Sequence, residues 1–132
     1  MAMGKPQEAT ERLAPHLQLT PRNQVLALNQ ANALIAANEN DKAVQLLKDL
    51  LLVHPDYEIA WQLLTEAYKN NKDFQGMHQS KAEVMALNGA YRRAVDELQF
   101  AYNFTADKHL DKQRIRARIK QLRDEEERLK RL

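Results

Sequence analysis

Apolar side chains recur every three or four positions along most of the chain, which is the spacing of an amphipathic helix. The pattern is interrupted at 38–41, at Pro55 and at 70–73, where asparagine, aspartate and proline are concentrated. These residues end and begin helices, so each interruption predicts a turn between two helices. The turns are expected to use Asp41, Asp56 and Asp73 as N-caps. Only three glycines and four prolines are present, which leaves few residues to punctuate strands, and the chain is predicted to be all-α.

A second regularity is a repeat of about 34 residues, which is the period of a helix-turn-helix unit. Pro21 and Pro55 are one such period apart, and Ala9, Ala43 and Met77 follow the same spacing. Two segments match a helix-pair repeat at the following positions: Ala27, Gln30, Ala31, Leu34, Ala43, Leu47, Leu50 and Pro55 in the first, and Trp61, Leu64, Thr65, Tyr68 and Met77 in the second. Both resemble the tetratricopeptide repeat, in which small residues such as Ala31 and Ala43 allow neighbouring helices to approach closely.

The repeat spacing fails after Met77, because the next turn, at Asn88–Gly89, leads to Ala94 after only half a period. We therefore expect a helix from about Phe74 to Leu87 that is shared between two pairs. The final segment is predicted to be a long amphipathic capping helix with one apolar stripe made of Leu110, Ile115, Ile119, Leu122, Leu129 and Leu132.

The predicted architecture is a right-handed α-solenoid of tetratricopeptide-like helix pairs with a long C-terminal capping helix. Residues 1–4 are expected to be a cloning remnant. The remaining boundaries are a second helix of a truncated repeat at 5–21, a full repeat at 22–55, tetratricopeptide-like helices at 56–106 with the half-repeat slip near 77–94, and the capping helix at 107–132.

The residue types needed for catalysis are not combined in any recognisable motif. The chain has no cysteine, and its four histidines form no His-Glu-x-x-His or similar two-ligand spacing. His78 and Glu83 could meet near one helix, and a chance surface pair is the preferred interpretation. We expect no enzyme activity, cofactor or metal site in this chain.

Charge is unevenly distributed, since residues 108–132 contain ten Lys or Arg and five Asp or Glu within a chain of net charge +2. No aromatic residue follows Phe104, so a solvated cap is preferred over a nucleic-acid or membrane surface. The acidic run 124–127 is expected to pair with cations three or four residues away, such as Arg123 and Arg128.

A stacked array of helix pairs has a concave groove that its first helices line. The predicted groove residues are Asn29, Asn32, Ile35, Gln62, Glu66, Lys69, Gln79 and Glu83. Amide side chains suit an extended peptide because they both donate to and accept from its backbone. Capture of a terminal carboxylate is not expected, because Gln62 and Glu66 stand where positive charge would be needed.

A more specific resemblance lies in the C-terminal half. The segment Arg-Ile-Arg-Ala-Arg-Ile-Lys-Gln-Leu-Arg at 114–123, the turn before Ala94 and the helix ending near Phe104 resemble the end of bacterial periplasmic zinc metallopeptidases of the β-barrel assembly-enhancing group. The resemblance implies a periplasmic location and a parent protein whose zinc lies in a separate peptidase domain. It also implies protein partners, namely the outer-membrane β-barrel assembly machinery, client barrels and the peptidase domain itself. The alternative is a freestanding tetratricopeptide scaffold or co-chaperone that binds a peptide segment in its groove.

Overall fold

The computed structural model describes residues 23–132, and the described part is helical without a strand. The helices are α1 (Gln24–Ala36), α2 (Asn40–Val53), α3 (Glu58–Asn70), α4 (Phe74–Leu87), α5 (Tyr91–Tyr102) and α6 (His109–Lys130). The predicted all-α fold of helix pairs is confirmed. The truncated repeat expected at 5–21 lies outside the described residues. No helix within 23–132 combines the length and apolar character needed to cross a membrane.

Several helices are followed by a residue with a left-handed backbone conformation. Positive φ angles, between 50° and 78°, occur at Asn38, Lys72, Gly89 and Ala106. Asn38 and Lys72 are one full repeat apart, and each of the next two positions follows after half a repeat. A residue in this left-handed conformation ends a helix by turning backbone N–H groups onto its last carbonyls. At the end of α1, for example, Glu39 donates to the carbonyl of Leu34 at 2.8 Å. The turn spacing therefore continues at half a repeat through the break predicted after Met77.

Of the three predicted N-cap residues, the structure has one at its N-cap position and two elsewhere. Asp73 caps α4 by accepting from the backbone N–H of Gly76 at 3.0 Å. The expected caps Asp41 and Asp56 are wrong, since the N-cap positions of α2 and α3 belong to Glu39 and Tyr57, neither of which makes a side-chain cap bond. Asp41 lies in the first turn of α2, where its charge still favours the positive end of the helix dipole.

The chain divides into two compact units at Lys72–Asp73, a boundary that falls inside the predicted 56–106 segment. In the first unit α2 packs against both α1 and α3, and α1 also contacts α3. The predicted contact points Ala31 and Ala43 are completely buried, as is Ala67. Small side chains at these positions let the helix backbones approach closely, while leucines fill the space between them.

The second unit contains α4, α5 and α6, with α5 packed against both of its neighbours. Its core combines Ala82, Ala94, Val95, Leu98, Ala101, Ile115 and Leu122. The single apolar stripe expected along α6 is wrong at its ends. Leu110, Leu129 and Leu132 are exposed. Leu110 lies about 140° around the helix from the buried Ile115, and Leu132 lies beyond the last residue of α6.

Candidate partner-binding surfaces

The first unit displays most of the predicted groove residues on α1 and α3. Asn29 and Asn32 lie three positions apart on α1, so they share one face of the helix, and both are exposed. Gln62, Glu66 and Lys69 are also exposed and follow one face of α3 at spacings of four and three. Each helix therefore presents a polar stripe to solvent.

Asparagine side chains tie the turn after α1 to the end of α3. Asn40 is buried; its side-chain N–H donates to Asn38 at 2.9 Å, and its side-chain carbonyl accepts from Asn70 at 3.2 Å. Beside it, Asn71 donates to Asp41 at 2.7 Å. These two bonds join the beginning of α2 to the end of α3. They fix the ends of the helices that carry the two stripes.

The start of α3 is held by Trp61. Its indole N–H donates to the carbonyl of Pro55 at 2.8 Å, and its own backbone carbonyl accepts from the Thr65 hydroxyl, also at 2.8 Å. The loop before α3 is thereby anchored to the helix, on which the side-chain amide of Gln62 donates to the Glu58 carboxylate at 3.4 Å.

Two apolar residues extend the polar stripes, and the sequence analysis missed them. Val25 is 65 % exposed on the face of α1 that carries Asn29 and Asn32, and Ile59 is 52 % exposed on the face of α3 that carries Glu66. The sequence feature that could have identified them is their spacing, since Val25 and Ile59 are one repeat apart. The predicted groove residue Ile35, by contrast, is half-buried and packs against the Leu34, Ala43 and Ala67 cluster.

The two remaining predicted groove residues belong to the second unit, where they bond within the chain. Gln79 accepts from the amide of Gln75 at 3.3 Å. Glu83 accepts two hydrogen bonds from Arg118 of α6, at 2.7 Å and 2.9 Å. These bonds to Glu83 raise the pKa of the Arg118 guanidinium above its ordinary value. The structure thus leaves Glu83 with little capacity to bind a partner.

His78 does not pair with Glu83, so that prediction is wrong. Its Nδ1 lies 2.6 Å from the carboxylate of Glu97 on α5, which Lys81 also approaches at 3.6 Å. The half-exposed rings of Phe100 and Phe104 lie 5.5 Å and 5.8 Å from the His78 ring. Histidine and carboxylate groups come together nowhere in residues 23–132 in a cluster of three or more that could hold a metal ion.

The charges on α6 differ between its two halves. In the C-terminal half the acidic run pairs with cations three or four residues away: Lys120 with Asp124, Arg128 with Glu125, and Lys130 with Glu126 and Glu127. The predicted pairing is thus confirmed for Arg128 and wrong for Arg123, which has no acidic partner in residues 23–132, while Arg92 of α5 also pairs with Glu126. In the N-terminal half, Lys112 and Arg116 instead lie over the ring of Tyr102, at 5.8 Å and 5.1 Å from its centroid.

Comparison with known proteins agrees with the repeat pattern. A family model described as "Tetratricopeptide repeat" matches residues 1–68. The chain is also 33 % identical, over 98 % of its length, to proteins named "Beta-barrel assembly-enhancing protease" from Escherichia coli strain K12, Shigella flexneri and Escherichia coli O157:H7. It spans only 26 % of each of these relatives.

Proposed function

Because the chain belongs to the tetratricopeptide repeat family, whose members mediate protein–protein interaction, we propose that α1 and α3 of the first unit bind an extended segment of a protein partner. The observation that carries this proposal is the pair of equivalent exposed stripes on neighbouring helices. Asn32 and Glu66 are their central polar residues and lie one repeat apart. Val25 and Ile59 add apolar contact area at the beginning of each stripe.

This composition suits a peptide backbone. The amides of Asn29, Asn32 and Gln62 can each donate and accept, which matches the alternating N–H and C=O groups of an extended chain. Glu66 and Lys69 lie beside them with opposite charges, so the surface favours neither acidic nor basic partners strongly. Recognition would then depend on backbone bonds and on apolar side chains that contact Val25 and Ile59.

We further propose that the domain is the non-catalytic interaction part of a periplasmic protease that assists β-barrel assembly in the outer membrane. The support is the identity of 33 % to relatives with that name over nearly the whole chain. Its partners would be the assembly machinery, client barrels and the peptidase domain of its own protein. Any zinc would belong to that peptidase domain.

The test is affinity capture from an outer-membrane extract by the immobilised chain, with bound barrel-assembly proteins measured by immunoblot and mass spectrometry. The variant Asn32→Ala with Glu66→Ala should retain its helicity and lose most of the captured assembly proteins. A matched control is Gln45→Ala with Asp49→Ala, which removes one amide and one carboxylate from the exposed face of α2.

Equal capture by all three proteins would reject the groove assignment. Capture by none of them, together with binding of the separately expressed peptidase domain, would make that domain the principal partner. A parent gene without an upstream signal sequence and His-Glu-x-x-His motif would favour the alternative function, a freestanding scaffold or co-chaperone that binds a peptide segment.

A further inference from the structure

The beginning of α6, together with Lys108 just before it, carries positive charge that is not paired with any acidic side chain in residues 23–132. Lys108, Lys112 and Arg116, which we call the basic stripe, form no ion pair with any acidic side chain in residues 23–132. Every cation of the helix from Lys120 to Lys130 other than Arg123 does have an acidic partner. Like charges four residues apart repel each other on a helix, so the stripe is an unfavourable arrangement until an anion binds.

Tyr102 organises the centre of this stripe. Lys112 and Arg116 converge on its ring at 5.8 Å and 5.1 Å from the centroid, and Arg116 also donates to the phenol oxygen. The ring holds the two cations on one face of α6 without neutralising them. Their side chains are thus ordered before any ligand arrives, which lowers the entropic cost of binding.

We propose that the basic stripe binds an extended, acidic polypeptide segment with carboxylates at alternate residues. Lys108, Lys112 and Arg116 are spaced four residues apart, so each step along α6 is about 6 Å. Alternate side chains on one face of an extended strand are about 6.6 Å apart. Successive carboxylates of such a segment therefore match these three successive cations.

The surroundings of the stripe favour a polypeptide over a membrane or a nucleic acid. A membrane surface helix needs exposed apolar residues beside its cations, but Leu110 precedes Lys112 by two positions and so lies on roughly the opposite side of the helix. The other exposed leucines, Leu129 and Leu132, lie at the far end of α6 from the stripe. Single-stranded nucleic acid is bound by stacking on free aromatic rings, whereas the ring beside the stripe, Tyr102, is already in contact with Lys112 and Arg116. The exposed rings of Phe100 and Phe104 lie instead beside His78. The stripe belongs to the second unit, so this proposal is independent of the groove on α1 and α3.

The proposal is tested with the purified chain and a short fluorescent peptide that alternates glutamate and threonine, with affinity measured by fluorescence anisotropy. Replacing Lys112→Gln together with Arg116→Gln should weaken binding about tenfold or more, because two charge-assisted contacts are lost. The matched control Lys120→Gln with Arg128→Gln removes the same charge from α6 and should change affinity by less than about twofold at physiological salt. Lys108 is exposed, so Lys108→Gln tests the stripe even if the double variant fails to fold.

Three results would overturn the proposal. The first is equal weakening by the stripe variant and its control, which would reveal a response to net charge only. The second is equal affinity for a peptide of the same composition whose glutamates form one block, which would contradict the alternate spacing. The third is stronger, stripe-dependent binding to phosphatidylglycerol vesicles or duplex DNA, which would assign the surface to another class of partner. Selective binding of the alternating peptide, lost with Lys112→Gln and Arg116→Gln, supports the proposal.

Discussion

Arg118 of α6 donates two hydrogen bonds to Glu83 of α4, at 2.7 Å and 2.9 Å, although the residues are 35 positions apart. The pair fixes the capping helix to the helix hairpin beneath it. Bidentate contacts between guanidinium and carboxylate groups are among the stronger side-chain bonds in proteins because both groups are charged and their geometries match. Glu83 thus has a role in holding the second unit together.

The first prediction concerns the strength of this pair. Glu83→Gln removes the negative charge and one good acceptor while Arg118 stays partly buried. The free energy of unfolding should fall by about 1 to 2 kcal/mol, the lower part of the range for charged hydrogen bonds because Arg118 is also partly solvated. Urea unfolding followed by circular dichroism measures the change. Glu66→Gln, on the exposed face of α3, is the control, and an equal effect from it would contradict the assignment.

The second prediction concerns the turns with positive φ. Ala106 has a φ of 50°, which is unfavourable for a side chain with a Cβ, so Ala106→Gly should raise stability by about 0.5 to 1 kcal/mol. The reverse change, Gly89→Ala, should lower stability by about 1 kcal/mol through backbone strain. Steric overlap is not involved, since a Cβ at Gly89 would meet no atom within 4 Å. Thermal unfolding of both variants checks the opposite signs, and a fall in stability for Ala106→Gly would reject the argument.

The third prediction concerns the alanine contacts of the first unit. Ala31 is completely buried between helices, and Ala31→Trp should destabilise the unit by about 3 kcal/mol or more through overpacking. Ala36→Trp places the same side chain at an exposed position of α1 and serves as the control. Fluorescence of Trp61 would be obscured by the new indole, so amide hydrogen exchange is the better measurement. Unchanged protection of α1 and α3 in Ala31→Trp would show that the contact can expand at little cost.

The fourth prediction concerns pH. The hydrogen bond from Arg128 lowers the pKa of the Glu125 carboxyl below its ordinary value. Folded Glu125 therefore binds its proton less readily than the unfolded chain does, so its stabilising effect is present above the ordinary glutamate pKa and is lost as the pH falls through the folded value. A carboxyl carbon NMR titration should show this pKa rising in Arg128→Gln. An unchanged titration would mean that the pair is not maintained in solution.

Much of the helical framework could be predicted because its causes are local. Amphipathic spacing identified the helices, and the turn at Asn88–Gly89 and the cap at Asp73 depend on backbone preferences of residues only a few positions apart. The predicted groove residues differ in how far local sequence accounts for their surroundings. Exposure of Asn29 and Asn32 follows from their positions on α1, whereas the engagement of Glu83 depends on a helix that lies much further along the chain.

The sequence by itself determined the helices and their turns, because these follow from bonds and patterns within about half a repeat, and the recurrence of the pattern every 34 residues indicated the repeat family. Only the tertiary structure decided which charges meet. The amphipathic pattern alone does not specify which carboxylate pairs with His78 or with Arg118. The packing of the helices places Glu97 beside His78 and Glu83 beside Arg118. The same packing left Lys112 and Arg116 beside Tyr102 without a carboxylate, and thereby created a basic surface that spacing along the chain does not specify.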